Sequence, residues 1–189
     1  MSTFKTQLPT IFETQTLNLT PLTVLTGCNN TGKTTILKQC SLQYPTQYFK
    51  WKECFIALAD IKHNIVSNSV VILEQPECGL HPILQLEIAD KIIEVMRRSQ
   101  ITIVETHSDH IINRLTRRYI EGVVTDDMTI YHLIKENSKT KIDRVPIDKE
   151  RGIHYEKPSF FYQIIEETEA ILNAGFNNCI NRCAEIENR

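Results

Sequence analysis

The sequence predicts an α/β domain built on a mainly parallel sheet. Short continuous apolar runs, "PLTVLT", "VVIL" and "ITIV", read as strands buried on both faces. Between them lie longer stretches whose apolar residues recur at helical spacing. The resulting order, strand and helix in alternation after an N-terminal β segment, is that of parallel strands joined by helical crossovers. At 189 residues the chain matches one domain able to bury roughly 70% of its unfolded surface. It is read as a single unit with segments 1–26, 27–125 and 126–189.

Taken in order, residues 3–26 hold two or three strands, the last ending in a glycine turn at Gly27. A helix runs from Gly32 to about Gln43, with Ile36, Leu37 and Cys40 at inward spacing, and Tyr44-Pro45-Thr46 breaks it. A second helix is expected over Trp51–Ile65, followed by the strand Val70–Leu73. The helix 83–98 has Pro82 at or just before its first turn and an apolar face of Leu86, Ala89, Ile93 and Met96. After strand 101–104, Ser108 or Asp109 caps a helix bearing Ile111, Ile112 and Leu115. Residues 128–147 alternate around Asn137-Ser138 as a hairpin. The tail, 159–189, reads as two helices separated near Gly175, either packed on the sheet edge or offered to a partner.

Composition narrows the classes. A formal net charge of −2 and a pI near 6.3 exert no global pull on nucleic acid or anionic membrane. The pairs Arg97-Arg98 and Arg117-Arg118 are too short for a basic patch and read as solvated helix ends. No run reaches membrane-spanning length and the N-terminus has no apolar signal core, so a cytoplasmic location is expected. The six cysteines read as free thiols in such a chain. Cys179 and Cys183, four apart, would share a helix face, but two further zinc ligands are not at hand.

Three segments carry chemistry. "GCNNTGKTT", Gly27 to Thr35, fits G-x-x-x-x-G-K-S/T between a strand and a helix. Gly27 and Gly32 let the backbone of Cys28, Asn29, Asn30 and Thr31 curl so that N–H groups face phosphates. Lys33 then reaches the β- and γ-phosphates, the Thr34 hydroxyl takes Mg²⁺, and Thr35 donates to the α-phosphate. Glu74 ends a downstream strand where a Mg²⁺-associated acid belongs; otherwise it is a surface carboxylate at a strand end. "IVETHSDHIINRL" ends its strand in Glu105-Thr106-His107-Ser108, on the ligand side of a parallel sheet. His107 can donate to a γ-phosphate or cap a helix, and His110 reads as helix surface.

"LTGCNNTGKTT", "ILEQPECGLHP" and "VETHSDHIINRL" together resemble, in order, the Walker A, Walker B with D-loop, and switch-histidine segments of ABC-type ATPases. The likeness is to the SMC-like and overcoming-lysogenisation-defect branch, in particular the AAA-type ATPases of bacteria linked to anti-phage defence. In that group E-Q-P-E-x-x-L-H-P and E-T-H-S-D/E-H are near-signature strings. The resemblance spans roughly 3–42 and 68–172. It implies a P-loop NTPase fold of the ABC/SMC-head type, with N-terminal antiparallel strands and a C-terminal hairpin plus helices. It implies ATP on Gly27–Thr35, Mg²⁺ on Thr34 and Glu74, γ-phosphate sensing by His107, and Gln75 on the attacking water. Cys78 to His81 would be a D-loop facing a second ATPase subunit, of the same or another chain, and an effector protein would be gated.

One departure bears on mechanism. ABC-type ATPases insert a helical lobe between Walker A and Walker B, with a glutamine loop and a glycine-bearing signature that acts on the opposite subunit's γ-phosphate. Here no glycine lies between Gly32 and Gly79. Segment 51–65 resembles the helix that follows a signature, and Gln43 or Gln47 stands in for the glutamine loop. Donors supplied in trans are worth about 10³–10⁵ in rate, so slow or partner-activated hydrolysis is expected. Gln75 can position water without taking its proton, and Glu77 or Glu105 is the replacement base, with Glu105 preferred. The alternatives are a nucleotide-binding scaffold with little turnover, or a DNA-binding repair ATPase, which the charge does not favour.

Overall fold

The computed structural model describes residues 4–14, 16–124 and 128–155, all within one compact unit, Met1–Tyr155. The helices expected over 159–189, with Cys179 and Cys183, lie outside the described residues. Of the cysteines within them, Cys28, Cys40, Cys54 and Cys78 are free thiols.

Three strands open the chain: β1 (Phe4–Gln7), β2 (Thr16–Leu19) and β3 (Leu22–Thr26). β1 and β2 form an antiparallel pair of their own, and β3 enters the main sheet. α1 (Lys33–Gln43) leads to β4 (Thr46–Lys50), then to α2 (Lys52–Ala59) and α3 (Ile61–Asn64). β5 (Val70–Glu74), α4 (Pro82–Arg98), β6 (Ile101–Glu105) and α5 (Asp109–Ile120) follow. β7 (Met128–Glu136) and β8 (Lys139–Val145) form a hairpin, and β9 (Ile147–Asp148) pairs with β10 (Gly152–Ile153).

The main sheet has six strands in the order β4-β5-β6-β3-β7-β8. Every neighbouring pair is parallel except β7 with β8. β3, β5 and β6 are buried along their whole length, the condition of strands covered on both faces. On one face Leu25, Ile72 and Ile103 join Ile36, Leu37 and Cys40 of α1, together with Leu17 and Leu19 of β2. α4 packs on β6, α5 and α2 and covers the other.

Helix boundaries follow local chemistry. Ser108 caps α5 by accepting from Ile111 N at 3.1 Å, and Pro82 sits in the first turn of α4, where its missing N–H costs nothing. The β7–β8 turn passes through Asn137 at φ 54°, a conformation that asparagine tolerates.

Four sequence expectations need correction. β4 was not anticipated: "TQYFK" is only five residues between helices, and its strand character shows only once Tyr48 and Phe49 pair with Ile72 and Leu73. The helix over Trp51–Ile65 is two helices, because Asp60 (φ −137°, ψ 77°) leaves helical geometry and caps α3 instead. The buried face of α4 is Ile88, Ala89, Ile92, Ile93 and Val95, wider than Leu86, Ala89, Ile93 and Met96, since sheet and neighbouring helices both press on it. Arg118 is no solvated helix end. It joins Arg114 on Asp90, with Nε and Nη2 at 2.7 and 3.2 Å from the two oxygens, and pins α5 to α4.

The Arg118 guanidinium, helped by Arg114, holds the Asp90 carboxyl down at about 2, against an ordinary value of 3.8. The pair therefore stabilises the fold above about pH 4 and loses that contribution as pH falls towards 2. Asp90 is a third exposed, so the solvent-screened effect is modest. Asp90→Asn is expected to cost about 1 kcal/mol at neutral pH, with the difference from wild type shrinking below pH 4 in urea unfolding midpoints.

Candidate functional site

The carboxyl ends of four parallel strands set out a row of residues. Lys50 on β4 is in register with Glu74 on β5, Glu74 with Glu105 on β6, and Glu105 with Leu25 on β3. The turns that leave these strands are hydrogen-bonded in the same way: Trp51 N to Glu74 O at 2.9 Å, Gln75 N to Glu105 O at 2.8 Å, and Thr106 N to Leu25 O at 3.1 Å. Four sequence-distant segments thus reach one edge in a fixed lateral order.

The loop 27–32 follows β3 and curls back over its own end. Gly27 has φ 133°, and a Cβ there would lie 2.3 Å from the carbonyl oxygen of Leu133. Glycine is required there by conformation and by space. Asn30 and Gly32 also have positive φ, and Thr31 Oγ1 donates to Cys28 O at 2.9 Å. Gly32 stands at the N-cap of α1, so the first N–H groups of that helix open towards the cleft. Lys33 is buried, and its Nζ donates to Gly27 O and Cys28 O at 2.8 and 2.9 Å. Burial lowers the pKa of its ammonium, and the Glu105 carboxylate opposes that shift.

Beside the loop, the Thr34 hydroxyl donates to Glu74 Oε1 at 3.5 Å. The other oxygen, Oε2, accepts from Tyr48 Oη at 2.5 Å and lies 3.5 Å from Lys50 Nζ. Burial and this bond to Glu74 push the Tyr48 phenol far up, so it stays protonated and donates. Tyr48 and Lys50 therefore orient one oxygen of Glu74 and leave the other towards Thr34. A hydroxyl and a carboxylate are the hard oxygen ligands that Mg²⁺ accepts, and Mg²⁺ takes few protein ligands when phosphates supply the rest. The donor set fits that ion. Among the described residues no cluster of three or more His, Cys, Asp or Glu could hold a metal without such help.

A cleft of about 220 Å³ is lined by Asn29, Asn30, Gly32, Lys33, Thr34, Thr35, Gln75, Glu105 and His107. Gln75 stands there at φ 52°, a strained conformation for a side chain of its size. His107 Nε2 lies 3.3 Å from Glu105 Oε1. Its backbone N–H donates to Glu77 Oε1 at 2.7 Å, which makes Glu77 a brace for the 105–108 turn. Ser108 Oγ donates to Gln85 Oε1 at 2.6 Å, and Gln85 Nε2 donates to Leu80 O at 2.8 Å, tying the loop after β5 to α5. His110 is exposed on α5.

Of the residues expected from sequence, Asn29, Asn30, Gly32, Lys33, Thr34, Thr35, Gln75 and His107 line the cleft together, with Glu74 against Thr34; Gly27, Cys28 and Thr31 do not line it. Gln43 and Gln47 do not join them. Gln43 bonds to Gln7 at the far end of α1, and Gln47 holds Val66 N, Asn64 O and Ser69 Oγ near the start of β5. Tyr48, Lys50 and Phe12 were missed. The first two depended on recognising β4. Phe12 sits in a loop pinned to β8, where Glu13 N and Thr140 N exchange bonds with Thr140 O and Ile11 O. Its ring is fully buried, and a Cβ on Gly32 would fall 2.9 Å from it.

The fold is thus a mixed α/β protein with a six-stranded, mostly parallel sheet and a glycine loop leading into a helix at the sheet's carboxyl edge. No family model matches the chain, and no curated protein matches it. Among solved structures, one described as the SmcHead bound to the C-winged helix domain of ScpA is similar at 16% identity and a TM-score of 0.33. The match covers 42% of this chain and 21% of that one, so the chain spans about a fifth of its neighbour's length. No helix of the described residues is long and apolar enough to cross a membrane.

Because Phe12 supports the loop from below, Phe12→Ala is expected to lower stability by about 3–5 kcal/mol, a large part of a typical domain's total. Phe12→Leu should lose markedly less. Chemical denaturation of the three proteins side by side checks the order.

Proposed function

We propose that this chain is an ATP- and Mg²⁺-binding ATPase subunit of the ABC/SMC-like P-loop class, with slow or partner-activated hydrolysis. The observation that carries the reading is the convergence of the glycine loop, Lys33, Thr34, Gln75, Glu105 and His107 in one cleft, with Thr34 hydrogen-bonded to Glu74. In this reading the N–H groups of Gly27–Thr35 hold the phosphates and Lys33 exchanges its two loop carbonyls for phosphate oxygens. Thr34 and Glu74 would hold Mg²⁺, which neutralises phosphate charge when bound. Gln75 orients water, and His107 detects the γ-phosphate.

Slow turnover follows from what stands between the loop and Glu74. The described residues from the end of α1 to β5 form only β4, α2 and α3, with no glycine among them. Two copies could not lend each other the glycine-bearing donors that such ATPases use in trans. Cys78, Gly79 and His81 are exposed beside the site, and they form the edge that a second ATPase subunit would face. Trp51, Phe55 and Ile56 are exposed as well, on the segment leaving β4, and suit contact with an effector protein. A role in phage defence or DNA metabolism rests on the sequence resemblance alone. The shortened interval also supports a second reading, a nucleotide-loaded scaffold that does not turn over.

Titration with a fluorescent ATP analogue and Mg²⁺ is expected to show saturable binding that Lys33→Ala weakens by about 10–100-fold, the worth of charged hydrogen bonds to phosphate. Absence of binding by the wild-type chain would overturn the proposal. Phosphate release that appears only with a partner supports the first reading, and none under any condition supports the second.

A further inference from the structure

We propose that Glu105, rather than Gln75 or Glu77, is the carboxylate that takes the proton of the attacking water; this rests on the nucleotide-binding reading above. The residue is 1% exposed, yet it lines the cleft beside Lys33, Gln75 and His107. Its two oxygens differ. Oε1 lies 3.6 Å from Lys33 Nζ and 3.3 Å from His107 Nε2, whereas Oε2 has no hydrogen-bond partner among the described residues. A buried carboxylate oxygen left without a donor is costly, and such a group in a cleft calls for a donor that enters from outside. Water is the donor that this chemistry supplies.

The neighbouring acids are placed differently. Glu74 is engaged by Thr34, Tyr48 and Lys50, and Glu77, whose Oε1 accepts from His107 N and whose Oε2 is likewise without a partner among the described residues, is not among the residues that line the cleft. Gln75 is an amide and cannot accept a proton at neutral pH, but its backbone N–H is anchored on Glu105 O at 2.8 Å. Amide and carboxylate line the same cleft, one to aim the water and the other to deprotonate it. In the step, the water oxygen bonds to the γ-phosphorus as the bond from that phosphorus to the β–γ bridging oxygen breaks. The electron pair leaves with ADP, and one water proton passes to the Glu105 carboxylate and on to solvent.

The competing role for Glu105 is that of a simple counter-ion to Lys33, and the two roles separate in measurement. Single-turnover phosphate release and ATP·Mg²⁺ affinity are to be compared for wild type, Glu105→Gln and Glu77→Gln, with folding checked by thermal unfolding. Glu105→Gln is expected to slow release by about 10²–10⁴-fold while ATP affinity changes by less than about threefold. Added formate should restore part of the rate to Glu105→Ala, as a small carboxylate enters the vacated space. Three results would each overturn the assignment: release by Glu105→Gln at the wild-type rate, a loss of ATP affinity that accounts for the whole defect, or a larger defect in Glu77→Gln. If wild type binds ATP and releases no phosphate, the base assignment falls and the binding reading stands. If wild type binds no ATP, both fall.

Discussion

The lateral register of β4, β5, β6 and β3 is the constraint on which the cleft depends. Parallel strands are joined by evenly spaced hydrogen bonds, so a shift of one residue would turn every side chain to the opposite face. Here Glu74 and Glu105 are paired directly, and Glu105 stands beside Leu25, two residues ahead of the loop glycine. The apolar runs Val70–Leu73 and Ile101–Val104 are buried throughout. Their burial is what holds that register, and with it the distance between the charges at the edge.

A second requirement is close approach. Loop 27–32 fits between Leu133 of β7 and Phe12 of the N-terminal segment, and glycine is needed at the points of contact with each. β7 continues past the end of β3, where Thr26 is paired with His132, so its next carbonyl meets Gly27. Phe12 reaches the loop because the segment carrying it is bonded to β8. The hairpin and the N-terminal strands, which contribute no side chain to the cleft lining, therefore shape the loop from two sides.

The charges in this edge are arranged by burial as much as by pairing. Lys33, Glu74 and Glu105 are all nearly inaccessible, and buried charges persist only when paired or hydrogen-bonded. Lys33 is satisfied by two carbonyls and Glu105, and Glu74 by Thr34, Tyr48 and Lys50. Of these three, Glu105 is the exception, with one oxygen that has no partner among the described residues.

Much of this was legible in residue order, and the rest was not, for a physical reason. Local signals determined the loop Gly27–Thr35, the strands ending at Glu74 and Glu105, the Ser108 cap, the first turn of α4 at Pro82 and the β7–β8 turn at Asn137. Each of these depends on backbone conformation or on burial periodicity within a few residues. Tertiary structure alone decided that β4 is a strand, that Tyr48 and Lys50 attend Glu74, that Phe12 lies under Gly32 and that Arg118 grips Asp90. It also removed Gln43 and Gln47 from the site and separated Glu77, a brace, from Glu105, a cleft carboxylate. Those outcomes depend on which segments become neighbours across the sheet, and short-range pattern holds no record of that pairing.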